Sequence, residues 1–165
     1  MTYGVPATMT LDKPILQGLD TSSTTAAHDT GYHVTSENGT EFTYVLTDAS
    51  TIAAAAGYPA HWMVGTTNSE VTADASDSAT RGGAFAGVFC CAISAADACY
   101  MWIQTKGYVT DASISTDVAA SDKLHARADY CFDACDEADA TMASARIVAI
   151  AMEAVSGDTG DIILL

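Results

Sequence analysis

The sequence predicts a mainly β fold, a small antiparallel β-barrel or sandwich with an extended N-terminal arm and at most one or two short helices. Three stretches carry that prediction: a period-two aromatic run over residues 100–109, a nearly unbroken apolar run over 85–93, and an apolar hairpin pattern over 145–165. With 165 residues there is room for one domain, divided here into an arm over 1–40 and a β-rich domain over 41–165. A chain of this length buries roughly two-thirds of its unfolded surface, so no disulfide scaffold is required.

The arm comes first. Residues 1–40 hold Pro6, Pro14, Gly4, Gly18 and Gly31, with apolar residues only in isolated pieces such as Pro14-Ile15-Leu16. Such a segment orders only where it lies on something. Asn38-Gly39 is a hairpin-turn signal of the I′ type, and Glu41-Phe42-Thr43-Tyr44-Val45-Leu46 after it has strand content. Thr47-Asp48 can cap a short helix over residues 50–56, stopped by Gly57 and Pro59. Residues 58–64 read as a strand, and 68–83 as a polar, acidic loop.

The run Phe85-Ala86-Gly87-Val88-Phe89-Cys90-Cys91-Ala92-Ile93 has the length and continuity of a strand buried on both faces. In the next run Met101, Ile103, Thr105 and Val109 share one face, and Tyr100, Trp102, Gln104, Lys106 and Tyr108 the other. The second face has large contact area and polar tips, which suit a core edge or a protein interface. Residues 123–145 repeat apolar side chains at helical intervals. Their acids Asp129, Asp133, Asp136, Glu137 and Asp139 have few basic partners one turn away, so strands joined by an acidic turn are favoured. Over 145–155 Val148, Ile150 and Met152 share a face with Ile147 opposite, and a Gly-containing turn leads to the closing strand Asp161-Ile162-Ile163-Leu164-Leu165.

Charge excludes one large class of function. There are 21 acids against 6 bases, and the bases are scattered singly. Phosphate binding needs clustered cations, so neither nucleic acid nor an anionic membrane is an expected partner. No run of about 18 apolar residues offers a membrane span. The start, Met1-Thr2-Tyr3-Gly4, has no export signal, so the five cysteines are expected to be reduced and used as small buried hydrophobes.

Chemistry is sparse. Cys131 and Cys135 with nearby His125 invite a zinc or disulfide reading, but only one such close spacing exists and Cys90 and Cys91 must point to opposite strand faces. His28, His33, His61 and His125 are dispersed, and no nucleophile elbow, zincin motif or phosphate loop occurs. Asp158 and Asp161 lack the ligand series of a calcium loop. The expectation is no catalytic residue, no metal and no cofactor.

The C-terminal half resembles a known group. Ala86-Gly87-Val88, then a Y-x-W-I-Q-T-x-G-Y-V strand from Tyr100 to Val109, then R-I-V-A-I-A-M-E-A from Arg146 to Ala154, then I-I-L-L, are similar to the decoration (cement) proteins of tailed-bacteriophage capsids. The resemblance covers residues 84–165 and, more loosely, 38–65; it departs at Ala149, where the group carries Gly, and in the Cys- and Asp-rich segment 130–139. It implies a non-enzymatic virion protein on the capsid exterior, made in the host cytoplasm. Its partner would be the major capsid protein, whose contacts it stabilises, and it would form a homo-oligomer, a trimer being favoured. Alternatives are a head-fibre, spike or tail component on the same β module, or a small cytoplasmic ligand-binding barrel. The candidate interface residues are Ile15, Leu16, Tyr100, Trp102 and Tyr108.

Overall fold

The computed structural model describes residues 17–47, 53–63, 70–74, 84–93, 98–127, 130–135, 147–155 and 157–165. Within them the chain is all β, with no helix. The strands are β1 (His33–Thr35), β2 (Glu41–Thr47), β3 (Pro59–Trp62), β4 (Glu70–Thr72), β5 (Phe85–Phe89), β6 (Tyr100–Ser113), β7 (Lys123–Ala126), β8 (Phe132–Ala134), β9 (Ala149–Ala151) and β10 (Thr159–Leu164).

Five of these close a barrel. The order is β2-β4-β3-β5-β6, and β6 returns to pair antiparallel with β2, setting Val45 opposite Met101 and Thr43 opposite Ile103. Only the β2–β4 pair is parallel. A five-stranded ring encloses little room, and its filling is correspondingly small: Ala54, Ala60, Ala73, Ala86, Cys91 and Cys99 accompany Val45, Val71, Phe89, Ile93, Met101 and Ile103. This accounts for an alanine-rich composition that would underfill a wider core.

The opposite face of β2 and of the first half of β6 forms a second apolar layer. Trp102, Tyr44, Phe42 and Cys90 pack there under Leu19 and Val34, with Ala27 and Tyr32 at the margin. Residues 17–40 are therefore not a free arm. They lie across their own barrel, and Gln17 pins them: its carbonyl accepts the Trp102 indole N–H at 3.1 Å, its side-chain oxygen accepts the Tyr44 hydroxyl at 2.6 Å, and its amide donates to the Tyr100 carbonyl at 2.9 Å. The remainder of the arm, with Ile15 and Leu16, lies outside the described residues.

β6 is long enough to leave the barrel. Its second half joins β10, β9, β7 and β8 in a second sheet, which curls until Phe132 bridges Ile114 and accepts the Ser115 N–H at 2.8 Å. The core beneath holds Val88, Val109, Ala112, Ile114, Leu124, Phe132, Ala149, Ala151, Ile162 and Leu164, with Phe85 edge-on to Phe132 at 5.8 Å. At the handover Gly107 has φ of 93°, and a Cβ there would lie 3.0 Å from Thr40 Oγ1 and 3.2 Å from Thr40 Cα. Gly is the residue that tolerates both conditions. Buried Gln104 serves the same place by donating to the carbonyls of Lys106 and Tyr108 at 3.2 and 2.9 Å.

Several sequence expectations are corrected. β4 lies inside the stretch read as a polar loop; Val71 is buried there because the ring needs a fifth strand between β2 and β3. Residues 53–56 are not helical, and the rest of the expected helix lies outside the described residues. The β1–β2 turn bonds Gly39 N–H to Ser36 C=O at 2.9 Å with only Gly39 at positive φ, so Asn38-Gly39 is not the centre of a I′ turn. In β9 the inward face belongs to Ala149 and Ala151, which turns Ile150 outward and leaves Met152 exposed. Of the strands favoured over 123–145, β7 and β8 are present; residues 128–129 and 136–145 lie outside the described residues.

Candidate interaction surface

The two faces of β6 divide the work. Met101, Ile103 and Val109 point into the two cores, while Trp102, Gln104, Lys106 and Tyr108 alternate with them on the outside. At the barrel end that outer face is covered by residues 17–34. At the second-sheet end no described segment covers it.

Strand register defines the open face. Tyr108 on β6 stands opposite Ile163 on β10, Ile163 opposite Ile150 on β9, and Ile150 opposite Lys123 on β7. Neighbouring strands are about 4.8 Å apart, so the row spans roughly 14 Å. Around it stand Tyr108 at 49% exposure, Met152 at 50% and Leu165 at 63%, the last two flanking Ile150 and Ile163. Beside this face a cleft of about 320 Å³ is lined by Phe85, Ala86, Thr105, Ile147, Val148 and Leu165. Thr105 Oγ1 is buried there without a hydrogen-bond partner among the described residues.

The row is electrically lopsided. The Tyr108 hydroxyl donates to Asp161 Oδ2, and Asp161 Oδ1 also accepts the Asp111 backbone N–H at 3.2 Å. That hydrogen bond, with the negative charge of Asp161, Glu153 and Asp111 nearby, pushes the phenol pKa above its usual range. A β-bulge in β6, where Thr110 and Asp111 (φ of 51°) stand against Asp161 alone, makes the arrangement possible. At the other end Lys123 is exposed and makes no ion pair among the described residues. Lys106, one step off the row, is paired with Glu41 at 3.5 Å, and Glu41 also approaches His33 at 3.3 Å.

The five residues expected at an interface separate. Tyr108 is on the open face. Tyr100 is half-buried and stacks on Tyr44 with centroids 6.1 Å apart. Trp102 is corrected: it is wholly buried, with Tyr44 at 5.1 Å and His28 at 5.4 Å, and so has no area to offer a neighbour. Ile15 and Leu16 lie outside the described residues. The members missed were Ile150, Met152, Ile163 and Leu165. The signal that could have found them was the Ala149/Ala151 alternation, since small residues suit the inward side of a tight sheet.

The groups singled out for chemistry are spread over the fold. Among the described residues no three His, Cys, Asp or Glu side chains are placed to hold a metal. Cys135 Sγ lies 3.8 Å from His125 Nδ1, but burial pushes that thiol up rather than activating it. Cys90 and Cys91 do face opposite ways, into the outer layer and the barrel core, and no disulfide joins any of the five cysteines. His28, His33, His61 and His125 sit on four separate segments. Comparison with protein-family models, with curated proteins and with solved structures returns no match.

Proposed function

We propose that this chain is a structural protein of a bacteriophage virion, binding the outer surface of the capsid and stabilising contacts between major capsid subunits. The observation that carries the reading is the uncovered, largely apolar outer face of β6, β10 and β9, on a domain whose other large aromatic face is already closed by its own N-terminal segment. Contiguous exposed apolar area of this kind marks a surface that meets another protein. The motif resemblance over residues 84–165 supplies the class of partner. An acidic exterior suits a shell surface, where it discourages non-specific adhesion. Repetition over a shell lets individually weak contacts hold firmly.

The test is binding to expanded, undecorated phage heads, read by co-sedimentation and image reconstruction. The full chain should saturate regularly spaced outer sites. A variant lacking residues 1–16, which spares Gln17 and Leu19, should stay folded and lose occupancy at least tenfold. Particles that co-purify with the chain but carry it only in a fibre or tail would shift the reading to the head-fibre or tail alternative. No association with any particle would overturn it.

A further inference from the structure

The row Tyr108–Ile163–Ile150–Lys123 has a property that a face built for an unrelated partner does not require: it is complementary to itself. Its two central positions are the same aliphatic residue. Its two ends are a tyrosine set among Asp161, Asp111 and Glu153, and a lysine with no ion pair of its own among the described residues. We propose that this face pairs with the same face of a second copy of the chain, about a two-fold axis parallel to the strands and midway between β9 and β10.

Rotation about that axis reverses the row. Ile163 then meets the partner's Ile150, and Ile150 meets the partner's Ile163, so the isoleucines close a small apolar centre. Lys123 comes over the partner's Tyr108 ring and its acidic surround, and Tyr108 receives the partner's Lys123. Each end gains a cation against an aromatic face and three carboxylates, twice per pair because the contact is isologous. Charge argues for this occupant. With net charge −15, two copies repel unless cations meet acids where they touch, and this row puts one of only six basic residues there. Two sheets meeting face to face with strands nearly aligned is an ordinary packing geometry.

Size sets the strength. Three or four strands offering a few side chains each cover a few hundred Å² per copy, well under the roughly 800 Å² per partner of a stable interface. The expected pair is weak, with a dissociation constant on the order of 10 µM. The pairing claims the same open face as the capsid reading, so a second copy and the shell compete for it, and it differs from the trimer that the resemblance implies.

Sedimentation of the full chain up to about 200 µM, some twentyfold above that constant, tests it. The expected result is a monomer–dimer equilibrium. Lys123→Glu, at an exposed position, should weaken it at least tenfold without altering the far-ultraviolet spectrum. Adding Glu153→Lys should recover at least threefold of that loss, which a merely misfolded variant would not do. A chain that stays monomeric overturns the proposal. So does an oligomer of any size indifferent to Lys123→Glu, or a loss that Glu153→Lys fails to mend. A monomer that still decorates heads would overturn the pairing and leave the capsid reading standing.

Discussion

The two halves of β6 present the same kind of outer face and meet opposite fates. In the barrel half Trp102 is sealed by Leu19, Val34, Tyr44 and a pin of hydrogen bonds from Gln17. In the second half Tyr108, Ile163 and Ile150 stand open or half-open, bordered by exposed Met152 and Leu165. Side-chain chemistry does not separate them; among the described residues, the path of the covering segment does. Residues 17–34 reach one half only. A face covered in cis contributes to stability, whereas a face left open is available to a partner, so substitutions in the two halves should separate folding from binding.

The largest effect should come from the covered half. Trp102→Ala removes the biggest buried side chain and leaves Gln17 C=O without its donor, so unfolding in denaturant should show a loss of about 3–5 kcal/mol. Tyr108→Ala, on the same strand face, should cost under about 1 kcal/mol, in keeping with an exposed position. Equal losses would break the comparison.

Next comes the junction. Gln104→Leu strands two carbonyls where β6 passes from one sheet to the other, and a loss of about 2 kcal/mol is expected. Gly107→Val combines positive φ with a clash at Thr40 and should cost about as much, roughly 1–3 kcal/mol. If β6 ties the modules into one cooperative unit, both variants should shift a single transition. Two transitions would show that the halves unfold separately.

Third, Phe132→Leu in the second core should cost about 1–2 kcal/mol, less than Trp102→Ala, because its neighbours are smaller and can close in. Calorimetry on the two variants ranks the modules directly.

The smallest effect is titration. Burial pushes the Cys91 thiol up to about 11 and Cys90 further still, and hydrogen bonding to Asp161 with the adjacent acids pushes the Tyr108 phenol up. A pKa raised on folding favours the protonated native group. Its contribution is complete below the unfolded pKa, about 8.5 for a thiol and about 10 for a phenol, and is lost as pH rises through the folded value. Stability measured across alkaline pH should therefore begin to fall near the thiol value. Cys90→Ala with Cys91→Ala should flatten the fall from its start through pH about 11, and Tyr108→Phe only the part that begins above the ordinary phenol value.

Much of this fold was legible in the residues. The strand at 100–109, the one begun at Glu41 and the closing strand appear where period-two alternation with strong β-formers puts them, and the continuous apolar run at 85–93 appears as a strand over its first five residues. Trp102 against Tyr108 was not legible. Both sit on the same even-numbered face, and only the path of residues 17–34 distinguishes them, which is long-range packing. β4 was hidden because Glu70-Val71-Thr72 is too short to alternate visibly and is made a strand by its neighbours. The alternation around Ile150 gives its two faces but not which one turns inward; that is set by Ala149 and Ala151 fitting under the tight sheet.

Shared ownership of β6 bears on how the protein is made. β6 pairs with β2 some sixty residues earlier and with β10 some fifty later, Tyr44 facing Trp102 and Ile163 facing Tyr108. β10 is translated after every other strand described here, yet it stands in the middle of its sheet, between β6 and β9. Until it arrives, the ribosome carries a barrel that can close beside a half-strand with a bare edge, the situation in which nascent chains stick to one another. The second sheet is thus the part of the described fold that cannot close until β10 has left the ribosome.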